Sequence, residues 1–301
     1  MKTILITGAR GFIGKSTLRY LNTTDLKIIG IYNKTSQSEL GKVADIEWIQ
    51  SDLFDLEQQK MLFEKYKPEY LLHLAWSVPT GEFWHSLDNI KWLNLSIELF
   101  KNFCRNGGRY FIGAGSIAEY DWRCPELKED GTSYQPYSLY GQCKRSLYEI
   151  LKQLQRKYFS HVSIIWPHIG YFFGVDEPVN KFLSMLISKI KHKEPMYLLN
   201  QNTVRDYAHV RYLGKTLAYL IMNSKNDLLL NVSANNQLTL KSIVDFISQY
   251  YNVDTSNILY DKYQSPIYEP KSLKICTKRM EKIMGNKFED TFFIDLKEMM
   301  I

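Results

Sequence analysis

Along the first half of the chain, short apolar runs alternate with longer amphipathic stretches. Thr3–Thr7, Lys27–Tyr32, Tyr70–Leu74, Tyr110–Gly113 and Val162–Trp166 predict strands; Phe12–Leu21, Leu56–Tyr66, Leu87–Cys104 and Leu139–Tyr158 predict helices. Strands that are apolar almost throughout suit a sheet covered on both faces, and strict β-α alternation predicts an α/β fold, a doubly wound parallel sheet of about seven strands. The pattern loosens after Gly174. There Asn180–Lys191, His209–Asn223, Leu240–Tyr251 and Lys278–Met284 predict helices, mixed with extended pieces at Met196–Leu199 and Leu228–Val232. With no repeat and no flexible linker, the expected organisation is interwoven. Residues 1–170, with 203–235 returning, form a dinucleotide-binding domain; 171–202 and 236–301 form a smaller substrate domain.

Composition narrows this picture modestly. The 301 residues are 45% hydrophobic and 23% charged, ordinary for a globular protein able to bury its own core. The cysteines Cys104, Cys124, Cys143 and Cys276 are scattered, with no Cys-x-x-Cys pair to indicate a disulfide framework or a zinc site. No histidine shows metal-ligand spacing, so no metal is expected. The opening apolar run is short and flows into a glycine motif, unlike a signal peptide, and the run from Val162 to Val175 is broken by Pro167 and His168. A cytoplasmic enzyme without a membrane partner is expected. The net charge of +6 comes without a dense Lys/Arg cluster, so nucleic acid is not an expected partner.

Candidate chemistry begins at the first strand. Gly8-Ala9-Arg10-Gly11-Phe12-Ile13-Gly14 links a strand to a helix with G-x-x-G-x-x-G spacing. Such glycines allow a tight turn and let backbone N–H groups approach a pyrophosphate at the helix N-terminus. Gly14-Lys15-Ser16 resembles the end of a P-loop, but that motif needs glycine where Ala9 stands. At the end of the second strand, where an NAD site usually carries Asp or Glu for the ribose, the chain has Asn33 and Lys34, with Arg10 in the glycine loop. Two cations without a carboxylate suit a 2′-phosphate, so NADP(H) is the expected cofactor, with NAD(H) the alternative; plain solvated charges are the bland reading. Tyr140 and Lys144, four residues apart on a predicted helix, share one face, and an ammonium beside a phenol would lower the tyrosine pKa. Tyr140 is thus a candidate acid/base for a carbonyl/alcohol pair.

The succession TGARGFIG, SDLFD, LLHLAW, FIGAGSIAEY, YGQCK and RDYAHV resembles the extended short-chain dehydrogenase/reductases, the NAD-dependent epimerase/dehydratase family, over roughly the first 225 residues. The resemblance implies a Rossmann sheet and these roles. Gly8, Gly11 and Gly14, with Phe12 and Ile13, line the cofactor pyrophosphate; Asp52 and Leu53 flank the adenine; Leu74, Ala75 and Trp76 pass along the cofactor, as do His168 and Ile169. Ser116 hydrogen-bonds the reacting oxygen, Tyr140 exchanges the proton and Lys144 holds the nicotinamide ribose. Arg205 and Lys181 contact the substrate diphosphate, with Tyr171 nearby, and a homodimer is compatible. Trp76 departs from the small residue usual at its position, as does the Trp166–Tyr171 loop from the family pattern. Asp206 and His209 are expected to hydrogen-bond structurally.

The residues after Ser116 narrow the reaction. The family's dehydratases resemble a pattern with Asp-Glu there, and its dual epimerase/reductases one with Cys; Ile117 and Ala118 move no protons. Redox at one carbon remains. The expected activity is NADPH-dependent reduction of the C4 ketone of a nucleotide-linked 4-keto-6-deoxy hexose, in activated deoxysugar and polysaccharide biosynthesis. An NAD-dependent nucleotide-sugar 4-epimerase is the alternative, and a non-catalytic dinucleotide-binding regulator is a third reading, since fold does not fix function.

Overall fold

A computed structural model describes residues 1–33, 46–198, 200–260, 270–285 and 289–301. The chain divides into two compact units: Met1–Glu119, Ser138–Ile169 and Val210–Leu230 form the first, and Tyr120–Tyr137, Gly170–His209 and Asn231–Ile301 the second. Relative to the expected organisation, residues 120–137 and the ends of the 203–235 return fall in the second unit.

The first unit carries the β-α alternation. In chain order it contains β1 (Thr3–Thr7), α1 (Phe12–Leu21), β2 (Lys27–Tyr32), β3 (Ile46–Gln50), α2 (Leu56–Tyr66), β4 (Tyr70–His73), α3 (Asp88–Arg105), β5 (Tyr110–Gly113) and β6 (Gly115–Ser116). A turn of 3₁₀ helix, Ile117–Glu119, follows, and later α4 (Leu139–Tyr158), the strand Ser163–Ile169 and the helix Val210–Asn223. The central sheet runs Leu228–Val232, Ser163–Ile169, β5, β4, β1, β2, β3, with β6 continuing alongside Ser163–Ile169. The pairs from β3 across to Ser163–Ile169 are parallel. The order reverses between β1 and β4, and it is outside the carboxyl ends of the strands at such a switch point that open α/β sheets bind ligands.

Local chemistry sets these elements. Asp55 caps α2 by accepting from the N–H groups of Glu57 and Gln58, and Ser138 caps α4 by accepting from Gly141. Lys67 closes α2 in the left-handed conformation. Leu5, Ile29, Leu71 and Phe111 of the sheet pack with Leu99, Phe103, Leu147 and Leu151 from the helices into one core. The strand β3 breaks the apolar rule because it lies at the sheet edge, half-buried, which is why the pattern did not announce it.

The second unit has its own core, in which Phe173, Leu186, Tyr207, Ile243 and Phe292 meet. Its helices Phe182–Lys191 and Leu240–Tyr251 supply most of the apolar face, and its strands are two or three residues long. Among the described residues, no helix is long and apolar enough to cross a membrane.

Candidate active site

The carboxyl ends of β1 and β4 pair Thr7 with His73, and both side chains are buried. Thr7 Oγ1 lies 2.7 Å from His73 Nδ1, and His73 Nε2 lies 2.8 Å from Ser96 Oγ. The Ser96 hydroxyl donates to Trp92 O at 2.7 Å, so it accepts from His73 Nε2–H. Nδ1 is then the acceptor for the Thr7 hydroxyl, whose oxygen in turn receives Ala75 N–H at 3.3 Å. This chain of bonds requires a neutral imidazole, and burial, reinforced by the Lys144 charge, holds the His73 pKa down at about 3. The network fixes the Leu74–Ala75 backbone directly against the glycine loop.

The loop itself is built for close approach. Gly8 has φ +69, and a Cβ there would stand 2.8 Å from Ala75 N and 2.9 Å from Leu74 C. A Cβ on Gly14 would stand 2.4 Å from Gly8 O. Gly11 N–H closes the turn onto Gly8 O at 2.9 Å. At its start α1 has no side-chain cap and no acidic residue in the first turn, so its N-terminal N–H groups and positive dipole end suit an anionic pyrophosphate. The residues present therefore fit a dinucleotide cofactor. Phe12 and Ile13 are half-buried beside this turn.

At the end of β2 the Arg10 guanidinium lies over two rings, 3.6 Å from the Tyr32 centroid and 5.0 Å from that of Trp48. Asn33 follows, exposed; Lys34 lies outside the described residues. Asp52 is exposed and accepts Phe54 N–H, whereas the Leu53 side chain is packed in the core.

Tyr140, Lys144 and Ser116 come together in this unit. The Ser138 cap starts α4 so that Tyr140 occupies its first turn and Lys144 the next, on the face that also buries Leu147 and Leu151. Tyr140 is half-buried, and its backbone N–H donates to Trp84 O at 3.0 Å. The rings of Phe83, Trp84 and Trp76 meet its ring edge-on, at centroid distances of 5.0, 5.9 and 6.2 Å. Burial pushes the Tyr140 phenol up to about 12, against the hydrogen bond from Ser116, which favours the phenolate. Burial likewise pushes the Lys144 ammonium down to about 7. Its Nζ donates to Ala114 O at 2.9 Å and stands 3.8 Å over the Trp76 ring, against 5.8 Å over that of Tyr140. The expectation that Lys144 lowers the tyrosine pKa is therefore not met: burial dominates the Tyr140 phenol. Trp76 is itself held by Asn89, which accepts its indole N–H at 2.9 Å and donates to Phe83 O and Ser86 O.

The His168 side chain is fully buried and its ring meets Glu119, while Ile169 is half-buried. Tyr171, Lys181 and Arg205 belong to the second unit. There Arg205 is 4% exposed, and its Nη1 donates to Val204 O and Pro270 O. Lys181 precedes the helix Phe182–Lys191 and is half-buried beside Glu177, whose carboxyl burial raises to about 7. Asp206, also raised by burial to about 7, accepts Asn235 N–H at 2.9 Å. Reading the sequence missed Glu119, the Thr7–His73–Ser96 network and the Phe83–Trp84 wall. Only Glu119 left a trace, as a lone carboxylate in the apolar run after β5.

The profile of the NAD dependent epimerase/dehydratase family matches residues 4–232. The dTDP-glucose 4,6-dehydratase of Haemophilus influenzae is 24% identical over 243 residues, covering 70% of this chain and 68% of that one. The dTDP-6-deoxy-L-talose 4-dehydrogenase (NAD(+)) of Aggregatibacter actinomycetemcomitans is 22% identical over 252 residues, covering 82% and 90%. Among solved structures, MoeE5 in complex with UDP-glucuronic acid and NAD superposes with a TM-score of 0.84 at 17% identity, covering 99% of this chain and 97% of that one. The glycine loop at the switch point of a parallel sheet and the match across 4–232 lead to one conclusion: the chain belongs to the NAD dependent epimerase/dehydratase family, the extended short-chain dehydrogenase/reductases.

Proposed function

We propose that this protein reduces the C4 ketone of a nucleotide-linked 4-keto-6-deoxy hexose, with NADPH as the reductant. The nucleotide-sugar class rests on its relatives, whose names carry dTDP- or UDP-linked sugars. The reaction rests on one observation: beside Ser116, in the positions a proton-moving pair would need, stand the buried Ile117 and Ala118. Neither side chain can act as acid or base, so the elimination step of a dehydratase has no machinery there. The relative named as a 4-dehydrogenase of a 6-deoxy sugar works at the same carbon, and this chain covers 90% of it.

Gly8, Gly11 and Gly14 admit the cofactor pyrophosphate, Phe12, Ile13, Leu74, Ala75, Trp76 and Ile169 flank it, and Arg10 meets the 2′-phosphate. Bound NADPH supplies the hydride. Ser116 donates a hydrogen bond to the ketone oxygen, and Tyr140 delivers a proton to that oxygen as charge develops on it. Donors aimed at charge that appears only in the transition state raise the rate rather than simply tightening binding. A phenol held near 12 suits this role: it is fully protonated at neutral pH and so enters the reaction as an acid. Lys144 orients the nicotinamide ribose, and Tyr171, Lys181 and Arg205 hold the substrate.

The test is a panel of nucleotide-linked 4-keto-6-deoxy hexoses incubated with the protein while NADPH absorbance is followed. Consumption with at least one member is expected. In Tyr140→Phe, kcat should fall by about 10²–10⁴-fold with NADPH still bound, the usual contribution of a general acid. Interconversion of two nucleotide sugars with no net NADPH loss would establish a 4-epimerase instead, and cofactor binding without turnover of any carbonyl would leave a regulator.

A further inference from the structure

Within the buried run of β2, residues 28–31, stands one glycine, Gly30, and the parallel register sets it opposite Trp48 of β3. Paired residues of neighbouring strands share a face of the sheet, so the largest side chain stands beside the smallest. A Cβ on Gly30 would lie 2.4 Å from Trp48 Cζ3 and 2.7 Å from Cε3. The indole therefore leans across β2 into the space the glycine leaves. Tyr32, two residues on from Gly30, projects from the same face. The Tyr32 and Trp48 rings meet edge-on, with centroids 6.4 Å apart and an interplanar angle of 71°. Both are half-buried.

Arg10 is the one charged residue of the turn from Gly8 to Gly14. Its guanidinium carbon stands 3.6 Å from the Tyr32 ring centroid, within van der Waals contact, and 5.0 Å from that of Trp48. The loop after β1, the end of β2 and the edge strand β3 thus converge on one cation. Arginine suits such a seat. Its planar guanidinium meets an aromatic ring through its own face and keeps its N–H groups in the plane, where their fork matches phosphate oxygens. Rings, unlike a carboxylate, hold the group without neutralising it. A side chain held this way gives up its rotamer freedom on folding rather than on binding.

We infer that Tyr32 and Trp48 are positioning residues of the cofactor site: their rings fix the Arg10 guanidinium at the end of β2, ready for a 2′-phosphate, and so set the preference of the site for NADP(H) over NAD(H). The inference rests on the proposed reading of Arg10 as the residue that meets that phosphate, and it is independent of the sugar substrate. It places the preference in β2 and β3 as well as in the glycine loop, with Gly30 as the gap that lets the indole reach its place. A cation fixed in advance helps only the ligand that carries the extra phosphate. Loss of the seat therefore weakens NADPH and spares NADH.

The test is a binding measurement that needs no turnover. NADPH and NADH are titrated calorimetrically into the full chain as wild type, Tyr32→Leu, Tyr32→Phe, Arg10→Ala and the double variant Arg10→Ala/Tyr32→Leu. The NADPH-to-NADH affinity ratio is expected to fall about threefold to tenfold in Tyr32→Leu, the range for a partly buried cation–ring contact. It should hold in Tyr32→Phe, which keeps the ring face. In the Arg10→Ala background Tyr32→Leu should change the ratio no further, because no cation is left for the ring to hold. A ring with a merely structural role would weaken both cofactors together and leave the ratio alone. A ratio unchanged in Tyr32→Leu but lowered in Arg10→Ala would thus overturn the inference and leave the reading of Arg10 standing. A ratio that Tyr32→Leu lowers equally without Arg10 would also overturn it, since the ring would then act on the cofactor directly. A ratio that Arg10→Ala does not lower is a different result, one that overturns the reading of Arg10 and the inference with it. If Tyr32→Leu does not fold, Trp48→Leu on the edge strand replaces it under the same criteria.

Discussion

Lys144 occupies a position on α4 between Cys143 and Leu147 that the helix otherwise buries with apolar side chains, and it is 4% exposed. A lysine there costs stability, because the charged form loses its hydration. The folded pKa is lowered from 10.5 to about 7, so the penalty is full below about pH 7 and disappears as pH rises toward 10.5, where both folded and unfolded chains carry a neutral amine. Lys144→Met should therefore stabilise the cofactor-free protein at pH 7, by roughly 2–4 kcal/mol once the lost bond to Ala114 O is counted, while activity is lost. Denaturant unfolding at pH 7 and pH 10 checks this: the gain should shrink at the higher pH, and a gain that grows would reverse the sign of the argument. Arg10 makes a second residue-level test. Arg10 is stacked on Tyr32 with no carboxylate at Asn33, and it is the residue proposed to meet a 2′-phosphate. Arg10→Ala should weaken NADPH binding roughly tenfold to a hundredfold and leave NADH nearly unchanged, the loss of one charge-assisted hydrogen bond; equal losses measured by fluorescence titration would mean that Arg10 does not read the phosphate. The triplet Ser116, Tyr140 and Lys144 was legible because each residue sits at a strand end or at helical spacing. Phe83 and Trp84 were not, since they reach Tyr140 only through tertiary contacts that no spacing encodes, and although Glu119 bonds Ser116 locally, its contacts to Trp166 and His168 come from far along the chain.

Helix α1 and the glycine loop show how much an element boundary carries. The bounds of β1, α1, β2, α2, β5 and α4 follow the sequence pattern to the residue, because apolar periodicity and cap residues such as Asp55 and Ser138 act locally. Of the short strands of the second unit Met196–Leu198 was expected, but the two-residue strands escaped, as did the helix Phe292–Glu298. A pair such as Val204–Arg205 with Leu238–Thr239 is too brief to show a period. Within the loop, Gly14 is where the turn of α1 presses on the chain that enters it. An added methyl would meet Gly8 O at 2.4 Å and Ala9 O at 2.6 Å, both backbone atoms that no rotamer change can clear. Gly14→Ala should cost about 1–3 kcal/mol of stability, the range for overpacking, and displace the N–H groups that face the pyrophosphate. Calorimetric binding of NADPH and NADH should weaken together, in contrast to Arg10→Ala; intact binding of both would show that the loop yields without consequence.

Ser116, Tyr140 and Lys144, proposed to handle the proton and the ribose, lie in one unit, and Tyr171, Lys181 and Arg205, proposed to hold the substrate, in the other. The α/β class and the parallel sheet were legible from alternation alone, and most of the division into units from where that alternation stops, but the place of residues 120–137 was not. Residues 120–137 carry no break in composition, and they leave the first unit because Leu127 pairs with Ile275 and Tyr120 bonds Asn231 at 2.8 Å, contacts set by the far end of the chain. At this scale the central claim concerns the direction in which the hydride flows. A reductase moves the cofactor hydride to the sugar once and releases the product, whereas an epimerase takes a hydride from its substrate and returns it. The most direct measurement is mass spectrometry and proton NMR of the sugar after incubation of a nucleotide-linked 4-keto-6-deoxy hexose with NADPH deuterated at the transferring C4 position. The account predicts one deuterium at C4 of the hexose for each NADPH consumed. A sugar converted without deuterium at C4, or without stoichiometric loss of NADPH, would contradict it.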